Sequence, residues 1–424
     1  MNVLRVAIIV AWYSAVLWMG FMVAALLIHV GRRLVQDALA ARPGRHLRRG
    51  RHEPVSHKAF PGPRRFKKLI IQITTTGDDI IIDTVRHLWA SLGDRDRSLY
   101  EIWVVTECTD PRSYPFVDQV LVVPSDFQTE KRAKFKGRAH EFARRYRVGS
   151  GLTGYKVLYI DDDTIVTPAF IDECFERTFD LMQGPVNIVN PHGLLSYVDA
   201  TSRAVSCLSL CSFFQEISHH LFTHGECFCI DERVDRAVSW DHPGWYADDL
   251  VYGALATRRS GFQMSSTYAA VQTNSPIGLR QFVTQRRRWF WALVRSNYLL
   301  PRSLQVELWS LTIIGMGITP VALTGMLLAV LGIFELPEQL ATPSEVLFVL
   351  WVAAWGFAGY FSQGQARGFL IGAVSSMIAP AIAFLISIVG ILMGPTQTFE
   401  VMKRVERHDY EQPVTTTRLD RPTA

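Results

Sequence analysis

The sequence predicts an α/β domain with a mostly parallel sheet, held between transmembrane helices at both ends, and three observations predict it. Short apolar runs alternate with helix-length amphipathic stretches through residues 69–277. Long apolar segments precede and follow that region. Acid-rich stretches come directly after the apolar runs, where a parallel sheet binds its ligands. The chain has 424 residues, 49% hydrophobic and 20% charged, with 44 Lys and Arg against 39 Asp and Glu, which excludes disordered and collagenous classes. Six Cys are too few for a disulfide scaffold in a chain of this size, so reduced thiols are expected. Cys207 and Cys211 can share a helix face, and Cys227 and Cys229 a strand face. No second C-x-x-C half or H-x-x-x-H partner completes a zinc site, so core packing is expected of them.

Ala7 to Ile28 is uncharged and long enough, at about 1.5 Å per residue, to cross a hydrocarbon core of roughly 30 Å. Gly31-Arg32-Arg33 stands where a signal peptide would carry small residues for cleavage, so a retained anchor is expected. Lys and Arg dominate residues 31–68, where only Asp37 and Glu53 are acidic, and the positive-inside rule makes this flank cytosolic. Its partner is then the anionic lipid surface rather than nucleic acid. Three more apolar runs lie near Val306–Phe334, Val346–Phe361 and Phe369–Met393, the first interrupted by Pro320. Counting four crossings puts the tail outside, whereas Lys403, Arg404 and Arg407 argue that it is inside. A re-entrant segment at Pro320 or Pro380 would reconcile the two.

Within the central region, Leu69–Ile73 reads as a buried strand followed by Ile81, Val85, Leu88 and Leu92 at helical spacing. Tyr100–Val105, Val120–Val123 and Lys156–Ile160 read as further strands, and Lys134–Tyr146 as a helix. The polar strand ends Thr74–Asp78, Thr106–Asp110 and Asp161–Asp163 are therefore the candidate binding residues.

Asp161-Asp162-Asp163 follows an apolar strand directly, and three adjacent carboxylates repel unless a cation, protons or solvent compensates. Hard oxygen ligands suit Mg²⁺ or Mn²⁺ holding a diphosphate, although a solvated turn or helix cap explains the cluster as well when it stands alone. Alternation along an extended chain sends Asp161 and Asp163 to one side and Asp162 to the other, so the outer pair is assigned to the metal. Asp248 and Asp249 open an apparent helix. Acids there stabilise the helix start whatever else they do, but one of them could serve as a general base. Gln285-Arg286-Arg287-Arg288-Trp289 lies on an amphipathic helix. A membrane-surface helix accounts for it, while Arg also pairs bidentately with phosphate and Trp offers an apolar face to a sugar.

Taken in order, these motifs resemble the membrane-integral family-2 glycosyltransferases, the group of hyaluronan and cellulose synthases. Ile71–Gly77, with Thr76, is similar to the family's nucleotide-base loop, Val104–Asp110, with Glu107, to its second acidic strand end, and Lys136–His140 to its nucleotide-contacting Lys segment. Asp161 and Asp163 match D-x-D, Asp248 and Asp249 the acidic pair whose second member is the base, and Gln285, Arg288 and Trp289 match Q-x-x-R-W. Ser239–His242 together with the last two motifs looks most like the egghead-type β-1,4-mannosyltransferases, which use GDP-mannose and a glycolipid acceptor. Two departures, Asp248 for a more usual Glu and Glu107 where many members have Asp, keep the charge.

The resemblance implies a GT-A fold and inverting transfer from a GDP- or UDP-linked sugar to a lipid-linked or saccharide acceptor, giving a β-glycosidic bond. It implies Asp163 and Asp161 as metal ligands, Asp249 as base with Asp248 beside it, and Thr76, Glu107, Lys136, Asp161, Gln285, Arg287 and Arg288 as donor contacts. Trp289 floors the acceptor site. The expected organisation is a transmembrane helix in 1–30, a basic linker in 31–68, a cytosolic catalytic domain in 69–277, an interface helix in 278–305, a membrane region in 306–395 and a polar tail in 396–424. A processive synthase using a UDP-sugar is the alternative of the same class. Metal-dependent sugar-phosphate transfer, or an inactive membrane interaction protein, are the alternatives of other classes. His219, His220 and His224 are read as capping or core residues, and His242 as a candidate acceptor contact outside the catalytic set.

Overall fold

A computed structural model describes residues 3–40, 67–188, 191, 193–216, 220, 222–244, 247–267, 269–275, 278–333, 338–363 and 366–395. After the N-terminal helix α1 (Val3–Ala40), the chain enters β1 (Lys68–Thr74), α2 (Ile80–Leu92), β2 (Tyr100–Glu107), β3 (Gln119–Val123), α3 (Phe135–Gly149) and β4 (Tyr155–Asp161). These are the expected strands, extended by one or two residues at their ends, and the expected helices, with α3 starting one residue later and ending three later than Lys134–Tyr146. β1 pairs in parallel with β2 on one side and with β4 on the other, setting Thr74 opposite both Val105 and Asp161. The expected polar strand ends are thereby brought to one edge of the sheet.

β5 (Ile165–Val166), α4 (Pro168–Glu176), β6 (Leu181–Gln183), β7 (Val186–Ile188), α5 (Gly193–Ser206), α6 (Ser212–Glu216), β8 (Cys227–Asp231) and α7 (Glu232–Ala237) follow. After them come α8 (Asp248–Ala254), β9 (Met264–Ser266), β10 (Val271–Thr273) and α9 (Leu279–Ser296). The large sheet runs β3-β2-β1-β4-β8-β6-β9, and β5-β10-β7 form a small second sheet. β8 is antiparallel to both β4 and β6, so a parallel half is joined to a mixed half. This is a GT-A-like α/β fold.

Strand alternation covers both faces. Ile71, Ile73, Val104, Leu158 and Ile160 pack with α2 and α4 residues in one core, and Ile70, Val105, Val157 and Tyr159 pack with α3 residues, Trp240 and Tyr252 in the other. The fully buried charges of Arg147 and Asp235 behind the second core are paired, as burial of a charge requires. The Arg147 guanidinium donates to both Asp235 carboxylate oxygens at 2.8 Å and to the Tyr159 hydroxyl at 2.9 Å.

Among the described residues four helices are long and apolar enough to cross a membrane, in Val10–Ile28, Arg302–Val330, Ala341–Tyr360 and Ala366–Met393. α1 continues past the Arg32-Arg33 pair to Ala40, so the expected linker begins as helix, while residues 41–66 and the tail from 396 lie outside the described residues. The second of these helices is α10 (Arg302–Leu311), a π-helical stretch over Thr312–Ile318, and α11 (Thr319–Val330). The widened turns just before Pro320 let the helix continue without the ring clash that a regular α-helix would impose. α12 (Glu338–Gln363) and α13 (Ala366–Met393) complete the chain's described helices.

Candidate active site

Asp161 ends β4, and its carboxylate meets the ammonium of Lys136 from the first turn of α3. Lys136 Nζ also donates to the Gly225 carbonyl at 2.6 Å. The chain at Gly225 runs so close to Asp249 that a Cβ added there would lie 2.7 Å from Asp249 Oδ2, and one at Gly137 would lie 3.6 Å from Asp248 Oδ2. Lys136, Asp161, Asp248 and Asp249 therefore converge from α3, β4 and α8. Asp249 Oδ1 accepts from the backbone N–H of Leu250 at 2.9 Å, which holds this carboxylate at its own helix start.

The site carries more negative charge than its cations neutralise. Burial alone would lower the Lys136 ammonium, but Asp161, Asp248 and Asp249 outweigh it and the group is raised. A simple ion pair would lower Asp161 in return. Asp161 is instead raised, because burial, Glu226 and Asp162 outweigh one ammonium. Burial raises Asp248 and Asp249 too, with Asp249 repelling Asp248, and Glu226 and Asp161 repelling Asp249. Arg288 on α9 is lowered by burial while Asp161, Asp248, Asp249 and Glu226 pull the other way, so it lies within electrostatic reach of the same cluster.

Among the described residues no group of three or more His, Cys, Asp or Glu side chains forms a metal cage. An excess of hard carboxylate oxygens next to a buried Asp163 does fit Mg²⁺ or Mn²⁺, which bind through one or two carboxylates plus substrate phosphates rather than all-protein cages. The strand ends at Asp161 and the chain turns over Asp162–Asp163, so the alternation expected of an extended chain does not apply; Asp162 Oδ2 accepts from Thr75 Oγ1 at 2.8 Å and its carbonyl from Thr84 Oγ1 at 2.6 Å.

The other expected residues divide into those facing the cluster and those engaged elsewhere. Thr76 is exposed in the loop after β1, beside Gly77, whose φ of +96° and contact with the Asp110 carboxylate leave no room for a side chain. Asp110 is fixed by Thr106 Oγ1 at 2.6 Å and the Tyr114 hydroxyl at 2.5 Å. Both Glu107 oxygens accept from Arg138 NH1, at 2.8 and 2.6 Å, tying the end of β2 to α3. Gln285 is buried with its Oε1 atom unpartnered.

Arg287 requires a correction. It stands next to Arg288, but neighbouring side chains on a helix point about 100° apart, and its guanidinium bonds the carbonyls of Met393 at 2.8 Å and Gly394 at 2.7 Å instead of facing the carboxylates. Guanidinium groups of Arg286 and Arg203 lie 4.3 and 5.0 Å from the ring centre of Trp289.

Sequence reasoning missed the ionic cluster behind these motifs. Arg203 pairs with Glu226 at 2.6 Å and approaches Asp199 at 3.7 Å, and Asp199 also meets Arg286. Glu226 is held down to about 2: burial would raise it, but Arg203 and His224 prevail. The only signal available was the four-residue spacing of Asp199 and Arg203 on α5. His219 lies outside the described residues. His220 Nε2 bonds Thr223 Oγ1 at 2.7 Å, and His224 Nε2 sits 3.6 Å from Cys207 Sγ. His242 is buried beside Asp248, and burial lowers it to about 4.

Residues 156–363 match the family model described as glycosyl transferase family group 2. The chain is similar to the β-1,4-mannosyltransferase bre-3 of Caenorhabditis elegans, 23% identical over 179 residues, covering 40% of this chain and 39% of that one. It is similar to the β-1,4-mannosyltransferase egh of Drosophila melanogaster, 22% identical over 254 residues, or 55% of each chain. The matched part thus spans about two fifths to just over half the length of these relatives. Among solved structures it is similar to the mannosyltransferase PcManGT of Pyrobaculum calidifontis in complex with GDP-Man and Mn²⁺, with TM-score 0.40, 15% identity, and 87% of this chain and 98% of that one covered.

Proposed function

We propose that this chain, whose residues 156–363 are a glycosyltransferase family group 2 domain, moves a sugar with inversion from a nucleoside-diphosphate donor to a lipid-linked or saccharide acceptor. The specific reading is β-mannosyl transfer from GDP-mannose, in keeping with the resemblance of its motifs to egghead-type enzymes. Residues 69–277 are the catalytic domain, and the Lys- and Arg-rich flank at 31–68 supports a cytosolic location for it.

One observation carries the reading: Asp161, Asp248, Asp249 and Lys136 meet in one half-buried site within electrostatic reach of Arg288. Asp249 accepts the proton of the acceptor hydroxyl as the new carbon–oxygen bond forms at the anomeric carbon and the bond to the diphosphate breaks on the opposite face. Burial, Glu226 and Asp161 keep the base raised above an ordinary aspartate, closer to working pH, where a general base is most effective. Arg288 and Lys136 receive the charge that develops on the departing nucleoside diphosphate. Asp161 and Asp163 would hold Mg²⁺ or Mn²⁺, which supplies Lewis-acid neutralisation of that diphosphate.

Asp249→Asn tests the assignment. It removes the base while keeping size and hydrogen-bonding capacity, so turnover should fall by about 10²- to 10⁴-fold with nucleotide binding retained. Near-normal turnover would remove Asp249 from the role.

A further inference from the structure

α5 makes two kinds of contact. Val198 and Val205, two turns apart, sit in one apolar cluster with Met22 and Leu26 of α1 and Trp355 of α12, so part of this helix is packed among the candidate spans. Asp199 and Arg203, one turn apart, form ion pairs with α9 and the catalytic domain instead. Asp199 is fully buried: its carboxylate meets the Arg286 guanidinium, accepts from Ser275 Oγ at 3.2 Å and lies 3.7 Å from Arg203 Nε. Arg203 NH1 in turn donates to Glu226 Oε1 at 2.6 Å, and both of these side chains are largely buried.

Glu226 belongs to the short turn that leads into β8, and this turn touches the candidate site at three points. The Glu226 carbonyl accepts from the backbone N–H of Asp161 at 3.1 Å, and the Gly225 carbonyl accepts from Lys136 Nζ at 2.6 Å. Gly225 itself stands so near the base that an added Cβ would lie 2.7 Å from Asp249 Oδ2. The Cys227 N–H closes the turn on the His224 carbonyl at 3.3 Å. Side chains from α5 and its extension reach the turn twice, Arg203 to Glu226 and Cys207 Sγ to within 3.6 Å of His224 Nε2. The first is a charge-assisted hydrogen bond at short range and is the stronger of the two.

We infer that Arg203 is a positioning residue of the site: held by Asp199 on a helix packed among the membrane segments, it pins Glu226 and so fixes the Gly225 turn against Asp249. The hold on the turn stands on these contacts, whereas its effect on turnover rests on the proposed function. Without Arg203, Glu226 is a largely buried charge that has lost its partner, so its side chain is drawn towards water and the turn shifts with it. Asp249 is then left to the Leu250 N–H of its own helix start. Misplacing a reacting group by about 1 Å can cost on the order of 10²-fold, so a shift of a few tenths of an ångström should lower kcat about tenfold. Lys136 keeps its pair with Asp161, so donor affinity should hardly change.

Two measurements test the two halves separately. By hydrogen exchange on the whole chain, Arg203→Gln should speed exchange severalfold in the peptide spanning His224–Cys227 and leave α2 unchanged. Unaltered exchange in that peptide would overturn the hold on the turn, whatever the enzyme's activity. The kinetic arm follows release of nucleoside diphosphate from GDP-mannose with an extract of host membrane lipids as acceptor. There Arg203→Gln should lower kcat about tenfold with donor KM changed less than about twofold, and Arg203→Lys should recover part of the loss. Added to Asp249→Asn, the same substitution should lower kcat by less than about twofold more, because a residue that acts through the base has nothing left to position. General structural damage would lower both backgrounds equally, and that result, or an unchanged kcat in Arg203→Gln, would overturn the positioning role. If Arg203→Gln does not fold, Glu226→Gln breaks the same pair from the other side and is read by the same two measurements. Absence of transferase activity in the unsubstituted protein would instead sink the functional reading, while the exchange result would still decide the hold on the turn.

Discussion

Gly225→Ala perturbs the site with a single methyl group. An added Cβ would stand 2.7 Å from Asp249 Oδ2 and 3.2 Å from its Cγ, whereas ordinary contact begins near 3.4 Å. Gly225 does not have the positive φ that would strain an alanine, so the collision with the carboxylate is the main effect. The carboxylate must retreat by several tenths of an ångström, away from a position where Leu250 N–H holds it. Misplacing a reacting group by about 1 Å can cost on the order of 10²-fold, so a displacement of this size should lower kcat by roughly 10- to 100-fold. Lys136 bonds the Gly225 carbonyl, which the substitution leaves in place, so nucleotide binding should be nearly unchanged. The assay is release of nucleoside diphosphate from GDP-mannose in the presence of membrane lipid acceptor, with donor affinity read separately by thermal shift. Full activity in Gly225→Ala, with Asp249→Asn inactive, would refute the claim that the base is held by this close approach. Lost donor binding would show that the loop, not the base, had been disturbed.

Asp163→Ala should weaken nucleotide binding in Mn²⁺ and remove most of its metal dependence; unchanged dependence by thermal shift would refute the ligand assignment. Burial, Glu226 and Asp161 raise Asp249 while Lys136 lowers it, so the acid limb of kcat/KM should lie above an ordinary aspartate and activity should fall as pH drops through it. Lys136→Met removes the lowering charge and should move that limb to still higher pH; a shift to lower pH would contradict the sign. Asp235→Asn leaves the Arg147 charge buried without its carboxylate, which should cost about 3–5 kcal/mol of stability, and a loss below 1 kcal/mol in chemical denaturation would show that the buried network is dispensable.

The parts of this molecule legible in its sequence are those encoded by local period. Leu69–Ile73 and Val157–Ile160 are apolar runs cut off by polar residues, and they fold as parallel strands with those residues at one edge. The amphipathic spacing from Leu279 to Val294 likewise folds as α9. Strand order is a long-range property. Nothing local in Cys227–Asp231 states that it will insert antiparallel between β4 and β6. Side-chain direction was the other blind spot. Arg286, Arg287 and Arg288 are alike in sequence, but on a helix they fan out to Asp199, to the end of α13 and towards the carboxylates respectively. Glu226 was hidden for a related reason, since its partner Arg203 is 23 residues away on another element.

The most direct measurement is the anomalous scattering of Mn²⁺ in crystals grown with a nucleoside diphosphate. The account predicts one peak bound by Asp163, alone or with Asp161, bridged to a diphosphate that Arg288 also reaches, with Asp249 on the opposite side of the sugar pocket. A peak elsewhere, or a diphosphate beyond the reach of Arg288, would contradict it.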